Sequence, residues 1–160
     1  MTEPVGYRIL LNLQETLEGI SKSAGYHFTV AAGAVSVDPL DAVEIIVGRA
    51  TESPFFVIEA GVGGRPTYQP SNQLIEVLPA NINAFANAEA QRDMVARVKT
   101  YERLCADIEK AVVVDITRGG LAGDTRIVSK QMNVTSGSLR VVAVVQLEMR
   151  LRRFYGSPNG

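Results

Sequence analysis

One histidine, His27, and one cysteine, Cys105, are all that this chain of 160 residues offers of the two side chains most versatile in nucleophilic, acid–base and metal chemistry near neutral pH. His27 sits within Tyr26-His27-Phe28-Thr29-Val30, an aromatic and β-branched run with no carboxylate or nucleophile beside it, so it reads as a structural histidine in a strand. A hydrolase that pairs His27 with a distant serine and aspartate is the weakest alternative. Cys105, being alone, allows neither an intramolecular disulfide nor a cysteine metal cluster and reads as a small buried apolar group. The carboxylate pairs Asp38 with Asp41 and Asp107 with Glu109 read as solvated charge. Gly61-Val62-Gly63-Gly64 and Gly119-Gly120-Leu121-Ala122-Gly123 lack the Lys-Ser/Thr ending and the strand-to-helix setting of a phosphate cradle, which leaves them as loops. No catalytic constellation emerges, and the expectation is a protein that is not an enzyme and uses no cofactor or metal.

The local feature that does stand out is basic and aromatic: Arg150, Arg152 and Arg153 followed by Phe154 and Tyr155. Arginine and aromatic side chains are enriched in protein interfaces because they combine planar contact area with a charged tip. Arg65 and Arg118, each beside a glycine-rich stretch, complete the expected interface set. With a formal net charge of -1, the chain has no general electrostatic affinity for phosphates, so any contact with DNA should be passive. Met1 to Gly6 lacks a basic patch and apolar run, and no uninterrupted apolar stretch approaches about 18 residues. The expectation is therefore a soluble protein of a reducing, cytoplasmic setting with no membrane partner, where the Asn133-Val134-Thr135 sequon is without meaning.

These residues need a scaffold. A hydrophobic content of 46% with 21% charge fits one ordinary domain over residues 1–160. Ile9, Leu10, Leu13, Leu17 and Ile20 recur at helical steps and predict an amphipathic helix from Tyr7 to Lys22, ended near Gly25. Strands are expected at Tyr26–Val30, Val43–Val47 and Phe55–Glu59. Loops should be exposed near 61–72 and 117–125, the second mobile or ordered only against a partner. From Leu78 to Ala86 the even positions are apolar, the mark of a strand with one face on a core, and Pro79 within it suggests a sheet edge or a bulge. Met94, Val98, Tyr101, Cys105, Ile108 and Val112 form the stripe of a second helix over Ala90–Val112. Strand pattern returns in Arg126–Val134 and, after a turn near Ser136-Gly137-Ser138, in Leu139–Phe154. In that last strand Val141, Ala143, Val145, Leu147, Met149 and Leu151 share one side. Roughly 15 residues of strand reach about 50 Å, more than a domain this size needs internally, so its end should project toward a neighbour. The fold class is α+β, a mainly antiparallel sheet with two amphipathic helices packed on one face.

In order, these elements resemble the small tail-terminator, or tail-completion, proteins of long-tailed bacteriophages. The resemblance spans nearly the whole chain. It rests on the opening Arg8-Ile9-Leu10-Leu11-Asn12-Leu13 helix ending before Gly25-Tyr26, the central helix after the Leu78–Ala86 strand, and the Gly119-Gly120 loop. It rests most on Val144-Val145-Gln146-Leu147-Glu148-Met149 running into Arg152-Arg153-Phe154-Tyr155-Gly156-Ser157-Pro158. It implies a virion subunit, made in the host cytoplasm, that caps the tail tube as a six-fold ring of its own copies. Its partners would be the tail-tube protein and a head–tail connector, with DNA passing through the lumen unbound. A neck subunit of another kind is the neighbouring identity. The alternative from a different class is a non-catalytic scaffold or accessory subunit of a bacterial enzyme complex.

Overall fold

A computed structural model describes residues 4–37, 54–61, 67–68, 73–88, 94–134 and 140–154. The fold is α+β. Its elements are helix α1 (Val5–Glu18), a short 3-10 turn (Lys22–Ala24), strands β1 (Val35–Ser36), β2 (Phe55–Ala60), β3 (Thr67–Tyr68) and β4 (Gln73–Asn87), helix α2 (Met94–Val114), and strands β5 (Asp124–Val134) and β6 (Arg140–Phe154). The strands form one six-stranded sheet in the order β1-β2-β4-β6-β5, with β3 also on β4. Every pairing is antiparallel except the short β1–β2 contact. The predicted strand at Val43–Val47 and the turn at Ser136–Ser138 lie outside the described residues.

Helix α1 starts on Pro4, whose ring holds φ at -55° and whose carbonyl accepts the Arg8 amide at 3.1 Å. Ile9, Leu13 and Leu17 are fully buried along one stripe. The helix stops at Glu18, four residues before the predicted end, and Gly25 at φ +84° closes the 3-10 turn that follows. The strand predicted at Tyr26–Val30 does not form. The backbone amides of His27 and Phe28 are instead taken, each at 2.9 Å, by the two carboxylate oxygens of Asp107 on α2. A side chain from a distant helix thus supplies what a ladder would have supplied, and the segment crosses the helix as a bend.

Strands β4 and β6 pair over their full length, from Gln73 against Phe154 to Asn87 against Arg140. Alternation decides which residues enter the core: Ala80, Ile82, Ala84 and Ala86 of β4 are buried with Val141, Ala143, Val145, Leu147, Met149 and Leu151 of β6. Both helices lie over this face, and one continuous cluster joins Leu13 and Leu17 to Leu104, Ile108, Ile82 and Leu147. Pro79 is not at a sheet edge, since β4 is interior. Its carbonyl accepts the Gly61 amide at 2.8 Å, while the reciprocal bond of an antiparallel pair needs an N–H that proline lacks. The regular β2 ladder ends there, and β3 resumes on β4 with its register offset by two residues. Gly61 tolerates the contact because a Cβ would lie 2.8 Å from the proline ring.

Helix α2, described from Met94 onward, turns a different side inward in its first turns than the stripe predicts. Ala96, Thr100 and Leu104 are buried there, whereas Met94 and Val98 of the predicted stripe are exposed, as is Val95. Small side chains at Ala96 and Thr100 permit close approach to the sheet, a criterion that hydrophobicity alone does not carry. From Cys105 onward stripe and core coincide, with Ile108 and Val112 buried. Replacing Ile108 by alanine should therefore cost about 2–5 kcal/mol, and Val98→Ala should stay within about 0.5 kcal/mol of the parent. Urea unfolding midpoints check the pair, and equal shifts for the two variants would mean that the helix face is wrongly assigned.

Candidate assembly surface

The basic, aromatic end of the chain is the last part of β6. Arg150 is exposed, and its Nε lies 3.9 Å from a carboxylate oxygen of Asp124, the residue directly opposite on β5. Arg152, Arg153 and Phe154 continue the strand and pair with Ile75, Leu74 and Gln73 of β4. On the other side β5 begins only at Asp124, so β6 outruns it by four positions. Tyr155 and Arg65, also expected at an interface, lie outside the described residues.

Arg118 was expected at an interface and is instead wholly buried, with 0% of its surface exposed. Its NH2 group donates to the carbonyls of Val112, at 2.6 Å, and Asp115, and NH1 reaches the Thr16 hydroxyl of α1 at 3.2 Å. A helix leaves its last carbonyls without intrahelical partners, and the guanidinium here serves as their cap while pinning α2 to α1. Burial pushes the guanidinium pKa down, yet arginine starts so high that the group keeps its charge. Arg118 adopts φ +51°, and Gly119 and Gly120 follow at +68° and +81°. Three successive left-handed residues would be costly for side chains with a Cβ, which is why two of them are glycine.

The glycine-rich segment from 117 to 125 is accordingly a built turn that needs no partner to order it. The Asp115 carboxylate accepts the Thr117 amide at 3.0 Å, the Thr117 hydroxyl at 2.7 Å and the Gly119 amide at 2.6 Å. The Ala122 amide returns to the Thr117 carbonyl, the Gly123 amide to that of Arg150, and the Thr125 hydroxyl to that of Ile116. Only part of the segment is exposed, chiefly Gly119, Gly120 and Gly123; Ala122 and Thr125 are buried. The 61–72 region is described only at Gly61 and in β3.

The remaining candidates settle into structural roles. His27 is exposed, contrary to its apolar sequence setting, and only its backbone is held. Asp107, read as solvated charge, is buried as the acceptor for that bend. Lys110 completes the clamp by donating to the Gly25 carbonyl at 2.9 Å and lying 4.5 Å from the centre of the Tyr26 ring. Cys105 is buried as expected, and burial pushes its thiol pKa up, away from reactivity. Among the described residues no group of His, Cys, Asp and Glu could hold a metal ion, and no helix is long and apolar enough to cross a membrane.

The second face of the sheet carries no helix among the described residues. Register places Asn81 and Asn83 of β4, Gln146 of β6, and Ser129, Gln131 and Asn133 of β5 on it together, with Ser129 and Gln146 bonded at 2.9 Å. At one end Phe55 stacks on Phe85 with centroids 4.7 Å apart, and Arg140 lies over Phe55. Toward the other end Asp124 bonds Arg126 at 3.1 Å. Neither the make-up of this second face nor the β6 overhang was visible as such in the sequence, since both depend on which strands pair and where they stop.

The Asp115 cap yields a pH prediction. Bonds from Thr117 and the Gly119 amide hold the Asp115 carboxyl below its ordinary range. A depressed folded-state pKa means that the stabilisation is fully present above the unfolded value of about 3.9 and is lost as pH falls through the folded value. The Gly119 amide proton resonance should therefore shift as pH drops below about 4, and Asp115→Asn should abolish that titration. An amide resonance unmoved by acid would remove the carboxylate from this role.

In comparisons with known proteins, no family model matches the chain and no curated protein matches it significantly.

Proposed function

We propose that this chain is a structural virion subunit that assembles with its own copies into a ring capping the tail tube of a long-tailed bacteriophage, and offers there the surface that joins the head. The observation that carries the reading is the end of β6. A strand built into the core up to Leu151 continues for three residues that, among the described strands, pair with β4 alone, in a stretch that contains Arg152, Arg153 and Phe154. A domain that functions alone has little use for a basic, aromatic strand end that outruns its neighbour β5, whereas a subunit that docks does. The order of elements described from the sequence supports the same family.

The near-neutral balance, a net charge of -1, suits a subunit beside which DNA passes, since a strongly basic lumen would retain phosphates by releasing their counterions. The tail-tube protein and the head–tail connector are the partners in this reading.

Mass photometry and negative-stain electron microscopy of the purified chain, alone and with tail tubes, test the proposal. Closed rings, or caps on tube ends, are the expected result. Deletion from Arg152 onward should keep a cooperative unfolding transition, because both helices and the buried residues of β4 and β6 named above lie upstream, but should weaken docking to the tube. A chain that stays monomeric, ignores tubes and binds a small ligand would support the accessory-subunit alternative instead.

A further inference from the structure

The direction of the backbone at the β6 end is set by contacts elsewhere in the sheet. In an antiparallel ladder each residue turns both its N–H and its C=O to one neighbour, and successive residues alternate. The Pro79 carbonyl faces the β2 side through the Gly61 amide, so Glu148, its partner across β4–β6, turns its main chain toward β5. Arg150 does the same, and its carbonyl accepts the Gly123 amide at 2.7 Å. Alternation then turns the main chains of Arg152 and Phe154 to the side where β5 has not yet begun. There, no described strand lies beside them.

From this overhang we infer that the end of β6 is a strand-addition site for an acidic, extended segment of a different protein. Main-chain groups need both donors and acceptors to satisfy them, which an extended peptide provides and a nucleic-acid backbone, whose phosphates only accept, does not. Three arginines among the five residues Arg150–Phe154 set the sign of the partner. They also disfavour the same end of a second copy, which would place like charges opposite one another. The other described sheet edges of a second copy are unsuited: β1 has two residues, and β5 carries Arg126, Lys130 and a register break between Ile127 and Ser129. A bulge and lysine on an edge oppose strand addition, and the β6 overhang has neither.

The inference deepens the proposed function and rests on its reading of the β6 end as a joining surface, but it can be tested apart from any ring. The probe is a short peptide of alternating glutamate and threonine, added to the full chain kept dilute. Controls are the same peptide with lysine for glutamate, a version N-methylated at alternate amides, and a short DNA duplex. The acidic peptide should slow hydrogen exchange at the Arg152 and Phe154 amides on the order of tenfold, and the three controls should not. Phe154→Pro should remove the effect and leave the fold intact, because that N–H points away from β4. Arg153→Pro removes an N–H that faces β4 and should loosen the pairing itself. Unchanged exchange with the acidic peptide overturns the inference, as does equal slowing by the lysine peptide or by DNA. Slowing produced merely by concentrating the chain alone would assign the site to a second copy and overturn it as well. Rings that form without peptide capture would sink this inference and leave the proposed function standing; capture without rings or caps would do the reverse.

Discussion

The pairing of β4 with β6 is the constraint on which the rest of the molecule depends. Fifteen residues of each strand face one another without a break in register, and because side chains alternate, that single register sends one complete set of apolar residues inward. A slip of one position would turn Ile82, Val145, Leu147 and Met149 outward together. Helices α1 and α2 then have one apolar surface on which to lie, and β2 and β5 take their places on the two free sides of the pair. Even Pro79 fits the scheme, since its missing donor falls on the β2 side and leaves the β4–β6 ladder intact.

Charged side chains placed in the interior act mainly on backbone groups. Asp107 takes two amides of the bend after α1, and Arg118 covers the last carbonyls of α2 while reaching Thr16 on α1. Each satisfies main-chain groups that regular structure leaves open, and each links elements far apart in sequence. Burying a charge is favourable only when such bonds compensate for its lost hydration, so these two residues tolerate little substitution even though neither takes part in any chemistry. Asp115 belongs to the same cap from the exposed side, where its carboxylate orders the left-handed turn that Gly119 and Gly120 make possible.

What remains outside the core is unevenly finished. The outer edge of β5 is broken in register and charged, which protects it against indiscriminate pairing. Among the described residues the end of β6 is regular and has no strand on one side, and the second sheet face mixes amides with charges such as Arg126, Glu148 and Arg150. The proposed assembly role would give a reason for this asymmetry, because the surfaces of such a subunit must reject most neighbours and accept a few.

The sequence by itself determined the two helices, the long final strand, the inward sets of β4 and β6 and the α+β class, because strong periodicity reports which side of an element is apolar. It also located the basic, aromatic strand end. Only the tertiary structure decided the roles of Arg118, Asp107 and His27: a buried arginine looks like a surface arginine until the carbonyls it caps are near it, and the carboxylate that dissolves the predicted Tyr26–Val30 strand lies about eighty positions away. The inward side of the first turns of α2 was likewise hidden, since close approach favours the small Ala96 and Thr100 over the more hydrophobic Val95 and Val98. How far β6 outruns β5 depends on where β5 begins, just after the Arg118-Gly119-Gly120 turn. Periodicity is local and legible, whereas the satisfaction of buried polar groups and the ends of strand ladders are properties of pairs brought together by folding.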